Sequence, residues 1–191
     1  MLGNVRDVEQ SEELRKALEY AEMGWPVLPG AVWHDGHFVD PANGEPTESA
    51  MLRPIDTATT DPDLIHEWWS SDGLQVPAVL GVTGPKLSAV TVYETLAEVI
   101  LGHKWFATRP TPMLGLAQMP LAYFLVRPPV PVVMVRDDVR VLPEGTTLPL
   151  PPTAVGQAAA SWLVSPEEAG NVLLLGDEFA DMVAGLAQEG R

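Results

Sequence analysis

The sequence predicts a single α+β domain over residues 1–191, with helices at both ends of the chain and mostly strands between them. The first helix is predicted from apolar residues at the i, i+3, i+4 and i+7 positions of one helical face: Leu14, Ala17, Leu18 and Ala21. The same kind of spacing predicts a last helix over residues 178–188, with Asp177 as its N-cap. A chain of 191 residues suits one compact domain, at roughly 150 residues per domain.

The elements between these two helices follow from local signals. Gly24 ends the first helix, and residues 25–28 are predicted to form a short strand. Residues 30–54 are rich in Gly, Pro, Asp, Asn and Ser and are predicted to form one long surface loop. Asp61 followed by Pro62 predicts the capped start of a second helix. The remaining predictions are a helix over residues 95–101 and strands over residues 79–82, 87–93, 121–126 and 130–135.

Charge and composition exclude several classes of protein. The chain has 26 Asp+Glu against 11 Lys+Arg, a net charge of −15, and the basic residues are scattered. A surface that binds nucleic acid needs clustered Lys and Arg, so we do not expect such binding. Zero cysteines exclude disulfides and thiolate metal sites and are typical of a reducing compartment. We find no secretory signal and no apolar run long enough to span a bilayer, so we expect a cytoplasmic protein without membrane contact.

Three segments in a fixed order are the most specific feature of the sequence. They are ALEYAEMGWPVLPG (residues 17–30), ATTDPDLIHEWW (58–69) and VLGVTG (79–84). Their order and spacing resemble the N-terminal half of the bifunctional DNA primase/polymerase domain of the archaeo-eukaryotic primase superfamily. The resemblance is most specific over residues 14–93 and extends to residue 165, which leaves residues 166–191 as a C-terminal helical extension.

This resemblance implies a small, RRM-like mixed or antiparallel sheet with flanking helices. It also implies chemistry: active members polymerise nucleotides by two-metal phosphoryl transfer, and divalent metals need converging carboxylates. In the family, a pattern like LVVLDVD supplies two metal-binding aspartates. The matching strand here is LSAVTVYE, which places Thr91 and Tyr93 at those positions. Neither side chain is an anionic ligand at neutral pH.

The other two family motifs are also altered. A family pattern like GGRHLYF holds the incoming phosphates with a histidine, whereas MPLAYF places Leu121 there. The third motif retains its acid, since Asp138-Val139-Arg140 fits the family's D-[IV]-[KR] pattern. We therefore assign no catalytic residue, no metal ligand and no cofactor, and we treat five residues as positions of a degenerate cleft: Thr91, Tyr93, Glu94, Leu121 and Asp138.

Further patterns have a functional and a structural interpretation. His34-Asp35-Gly36-His37, with Asp40 beyond, has the residue types of a metal site, but we interpret it as polar loop residues because a third fixed ligand is missing. Gly81-Val82-Thr83-Gly84 resembles a phosphate nest and is interpreted as a turn between strands.

The six tryptophans also have a functional and a structural interpretation, as stacking platforms for nucleic-acid bases or as core residues. We expect Trp25 and Trp162 in the core, since stacking on nucleic acid needs aromatics among basic residues. The segment HKWFATR is the best candidate for a contact surface, through Lys104, Trp105 and Arg109.

The sequence therefore predicts a catalytically inactive primase/polymerase-like domain, a pseudoenzyme that acts as a protein-interaction or regulatory module in a DNA-related bacterial pathway such as replication. Its protein partner is not identified by the sequence, nor is its oligomeric state. The loop at 30–54 and the proline-rich residues 110–152 are the expected partner-facing surfaces. The alternative is residual DNA primase/polymerase or nucleotide-binding activity, in which Glu94, Asp138 and the Thr83-Gly84 turn act with Mg²⁺ or Mn²⁺.

Overall fold

A computed structural model of the chain describes residues 11–70, 73–117, 119–131, 138–155 and 158–189. The described helices are α1 (Glu12–Glu22), α2 (Pro62–Trp69), α3 (Glu94–Gly102), α4 (Lys104–Thr108) and α5 (Gly176–Glu189), with a 3₁₀ turn at Ile55–Thr57. The strands are β1 (Val27–Gly30), β2 (Val32–His34), β3 (His37–Val39), β4 (Pro46–Thr47), β5 (Ala78–Val82), β6 (Ser88–Tyr93), β7 (Met113–Leu116), β8 (Leu121–Arg127), β9 (Val139–Val141), β10 (Thr147–Pro149), β11 (Ala154–Val155), β12 (Ala158–Val164) and β13 (Leu174–Leu175). The fold is α+β, as predicted. None of the helices in the described ranges is both long and apolar enough to cross a membrane.

The first two helices begin and end where the sequence signals place them. The side chain of Ser11 caps α1 by accepting a hydrogen bond from the Leu14 N–H, and Gly24 follows the helix with a φ of 80°. Asp61 caps α2 in the same way, with Pro62 at its first position. Helix α1 packs against α2 and against β1 and β5, which form a three-stranded antiparallel sheet with β10. Ile65, Trp68 and Trp69 of α2 belong to the same core.

An aromatic cluster joins α1 to the C-terminal half of the chain. The ring of Tyr20 stacks on Trp25 at 5.6 Å between centroids, and Trp162 lies edge-on to Tyr20 at 6.1 Å. The hydroxyl of Tyr20 donates a hydrogen bond to the carbonyl of Pro151 at 2.6 Å. Trp25 is buried and Trp162 packs against the same core, as predicted.

The predicted loop at 30–54 is wrong in one respect: it contains a small antiparallel sheet, in the order β2-β3-β4. Asp35 and Gly36 form the two-residue turn between β2 and β3, with φ of 45° and 91°. Asp-Gly favours this turn because both positions need a positive φ. The flanking VWH and HFV runs then pair, and Trp33 contacts Phe38 at 4.8 Å between ring centroids.

The largest sheet has seven strands, in the order β11-β12-β7-β8-β6-β9, with β13 pairing with β8 in parallel. Its two faces bury alternate residues of the same strands. We call the α1 face the side on which Ala89 and Leu125 pack towards α1 and α2. We call the α3 face the side on which Val92 and Phe124 contact the core that includes residues of α3, α4 and α5.

The C-terminal half departs most from the predicted boundaries. Residues 130 and 131 lie outside any strand, and the rest of the strand predicted at 130–135 falls outside the described residues. The strand beside β6 is instead β9, formed by Val139–Val141. The last helix begins at Gly176, so Asp177 lies in its first turn, where its carboxylate accepts the Glu178 N–H. Helix α4 and strands β7, β10, β11, β12 and β13 were not predicted.

Candidate functional site

The three altered motifs meet at one end of three neighbouring strands. Tyr93, the last residue of β6, pairs with Leu121, the first residue of β8. On the other side of β6, Val92 pairs with Val139, and Asp138 directly precedes that residue. The tertiary structure therefore brings together positions that are far apart in the chain.

Thr91 is held on the covered side of this sheet. Its side chain is 7% exposed, and its hydroxyl donates a hydrogen bond to the Arg140 carbonyl at 3.3 Å. On β8 it lies opposite Tyr123, whose burial raises the pKa of the phenol. The surroundings of Thr91 thus favour neutral groups.

Tyr93 and Glu94 mark the change from strand to helix. Tyr93 is 49% exposed, and Glu94 begins α3, with its backbone N–H donating to the Pro120 carbonyl at 3.1 Å. The Glu94 carboxylate is exposed, and Asp138 is half-buried. Within the described ranges, no group of three or more His, Asp or Glu residues is arranged to hold a metal ion.

The Thr83-Gly84 turn lies at the other end of β6. Its backbone N–H groups are already used: that of Thr83 donates to the Thr146 carbonyl at 3.0 Å, and that of Gly84 to the Leu87 carbonyl at 2.7 Å. The Thr83 hydroxyl donates to the Pro143 carbonyl at 2.7 Å. With about 3.3 Å per strand residue, the turn is on the order of 15–20 Å from Glu94. The structure therefore does not place this turn in one site with Glu94 and Asp138.

The histidine motif forms the end of the β2–β3 hairpin. His34 and His37 are paired across the turn, and His34 Nε2 lies 3.3 Å from Asp35 Oδ2. His37 Nδ1 lies 3.4 Å from the Asp35 carbonyl oxygen. All three residues are exposed, and both contacts lie within the hairpin.

The three residues of the candidate contact surface, Lys104, Trp105 and Arg109, have different surroundings. Trp105 is half-buried against the α3-face core, and its backbone N–H donates to His103 Nδ1 at 3.3 Å. Arg109 Nη1 pairs with Glu178 Oε1 at 2.9 Å, and Lys104 is exposed. Since Arg109 is paired with an acid, the three residues do not form one continuous cationic patch.

A groove that was not predicted from the sequence runs between α3 and strands β7, β8 and β12. It encloses about 540 Å³. Helix α3 contributes residues with i, i+3, i+4 and i+7 spacing: Glu94, Ala97, Glu98 and Leu101. The spacing was present in the sequence, but only the position of β12, which was not predicted, turns that helix face into the wall of a groove.

The comparison with protein families agrees with this architecture. The family model for the N-terminal domain of bifunctional DNA primase/polymerases matches residues 17–153, more than two thirds of the chain. No curated protein and no solved structure gives a significant match to this chain. The matched residues extend from α1 to the Pro-Pro-Thr segment and include β6, β8 and β9. The chain belongs to the bifunctional DNA primase/polymerase N-terminal domain family.

Proposed function

We propose that this domain does not catalyse nucleotidyl transfer and acts as a protein-interaction or regulatory module in a DNA-related bacterial pathway in the cytoplasm. The observation that carries the proposal is the burial and hydrogen bonding of Thr91. This residue takes the position of a metal-binding aspartate in the family pattern, yet it is buried and its hydroxyl donates to the Arg140 carbonyl.

Electrostatics support this interpretation. Two divalent cations require several oxygen ligands, and carboxylates supply both oxygen atoms and negative charge. Thr91 and Tyr93 supply neutral groups, and Leu121 supplies no polar atom. Glu94 and Asp138 are the acids near the end of β6 on which the alternative depends; Glu94 is exposed and Asp138 is half-buried. Two carboxylates supply few of the oxygen ligands that two divalent cations need.

A role in protein binding is supported by exposed apolar side chains. Leu101, Met119 and Leu163 are 38%, 46% and 52% exposed and line the groove beside α3. Apolar residues grouped in this way are typical of interaction surfaces.

The proposal is tested by primer synthesis and by nucleotide binding. Incorporation of labelled nucleotides on single-stranded DNA is measured with Mg²⁺ or Mn²⁺, with a family member that retains both motif aspartates as the positive control. We expect no incorporation, and calorimetry with a nucleoside triphosphate and Mn²⁺ should show no binding at millimolar ligand. Binding that disappears in Asp138→Asn would support the alternative activity and overturn the proposal.

A further inference from the structure

We propose that the groove between α3 and β12 binds a segment of a partner protein that combines apolar side chains with neighbouring Lys or Arg residues. This inference rests on the proposed interaction role and specifies its surface and the chemistry of its partner. It places the partner beside α3, apart from the loop at 30–54.

The floor of the groove is shaped by a bulge and a glycine. The register between β12 and β7 shifts between Trp162 and Val164, which leaves Leu163 as the extra residue. Leu163 can therefore lie on the groove side while its neighbour Val164 packs against the α3-face core. A Cβ at Gly115 would lie 3.2 Å from Leu163 Cγ, so the missing side chain gives Leu163 space to lie against β7.

The wall formed by α3 supplies the negative charge. Glu94 and Glu98 are exposed, lie one helical turn apart and line the groove with Leu101. Among the described residues of its lining, none is a lysine or an arginine. A segment with Lys or Arg beside its apolar residues would complement both the apolar floor and the acidic wall.

A second copy of this chain is a poorer occupant by the same argument. Each copy carries a net charge of −15, so two copies repel each other at the range over which surface charges act. A basic partner is attracted across that range, and its association should weaken with added salt. Grooves with apolar floors and charged rims commonly accept helical or extended peptides.

The probe is a library of random 16-residue peptides displayed on phage and selected against the immobilised full chain. Peptides that also bind a Leu101→Ser/Leu163→Ser variant are removed by counter-selection. We expect the surviving peptides to be enriched in Leu, Ile, Met or Phe with adjacent Lys or Arg. Failure to enrich any peptide, or enrichment of acidic or purely polar peptides, would overturn the inference.

One enriched peptide is then synthesised and its affinity measured by fluorescence anisotropy. Leu163→Ser should weaken binding about tenfold or more, because an apolar contact is lost. Glu94→Gln/Glu98→Gln should weaken it several-fold and remove most of its salt dependence. The matched control is Val172→Ser, an apolar residue 58% exposed outside the groove, which should leave affinity unchanged. Equal affinity for all variants would contradict a site in the groove.

Two further measurements separate this inference from other outcomes. Sedimentation of the free chain should show no dimer that Leu163→Ser dissociates, since such a dimer would assign the groove to self-association and overturn the inference. Nucleotide binding that depends on Asp138 would overturn the proposal that the domain is inactive. Peptide binding to the groove is measured separately, so its result stands whichever way that test turns out.

Discussion

The two faces of the seven-stranded sheet are built from alternate residues of the same strands, but they are covered to different extents. On the α1 face, Tyr123 and Leu125 belong to the core that includes residues of α1, α2 and the β1-β5-β10 sheet, and Thr91 of the neighbouring strand β6 is buried. On the α3 face, the helices cover Val92 and Phe124 but leave an apolar groove beside α3. Thr91, which matches a metal-binding aspartate of the family pattern, is thus buried in the sheet, whereas the open groove lies on the α3 face.

The largest expected effect comes from placing an acid at the buried position of Thr91. Thr91→Asp should destabilise the domain by about 3–5 kcal/mol, because an unpaired carboxylate would be buried. The matched change Tyr93→Asp places the acid at a half-exposed position and should cost less than about 1 kcal/mol. Urea denaturation measures both values, with Thr91→Val as the size control. If Mn²⁺ fully restored the stability of Thr91→Asp, the α1 face would still be a metal site, and our comparison would be wrong.

Truncating a leucine to alanine on each face of the sheet should give the next largest difference in the free energy of unfolding. Leu125→Ala should lower the free energy of unfolding by about 2–5 kcal/mol, because Leu125 is fully buried on the α1 face. Leu163→Ala should lower it by less than about 1 kcal/mol, because half of Leu163 is already exposed in the groove. Thermal unfolding of both variants checks this pair. Similar losses would show that Leu163 contributes to the core.

Replacing a glycine with alanine adds a methyl group and tests how tightly each side of the seven-stranded sheet is packed. A Cβ at Gly81 would lie 2.8 Å from Leu150 Cδ1, and Leu150 is fully buried in the layer that covers the α1 face. Gly81→Ala should therefore cost about 1–3 kcal/mol. Gly115→Ala meets the exposed Leu163, which has room to move, so its cost should stay under about 1 kcal/mol. The midpoints of urea unfolding compare the two variants. An equal loss of stability in both would contradict an open groove beside Gly115.

The smallest effect at neutral pH is expected at Tyr20. Burial raises the pKa of its phenol above the ordinary value, and its hydroxyl donates to the Pro151 carbonyl. A raised pKa in the folded state contributes stability that is complete below a pH of about 10 and is lost as the pH rises further. Tyr20→Phe should cost about 1 kcal/mol at pH 7 and show a smaller loss above pH 10. Unfolding measured from pH 7 to pH 11 tests the sign, and a steeper alkaline loss in Tyr20→Phe would contradict it.

The sequence alone determined the features that depend on near neighbours. Ser11 and Asp61 cap their helices because capping needs only the next three residues, and the core face of α1 follows from its 3.6-residue spacing. The sequence also determines that Thr91 and Tyr93, which we matched to the aspartates of the family pattern, are not carboxylates in any fold. Asp35-Gly36 is a local signal for a hairpin turn. The glycines and prolines around it led to the prediction of a loop instead.

Only the tertiary structure decided what those residues contact. Pairing between β6, β8 and β9 joins positions up to 51 residues apart in the chain, as between Val90 and Val141, and no local pattern predicts that register. The burial of Thr91 accompanies that pairing. The Thr83 and Gly84 backbone N–H groups are used by the carbonyls of Thr146 and Leu87, and the groove that combines Glu98 with Leu163 depends on the pairing of β12 with β7. Strand partners are chosen by long-range packing, so the residue types at positions 91 and 93 were available from the sequence, whereas the covered face and the open groove were not.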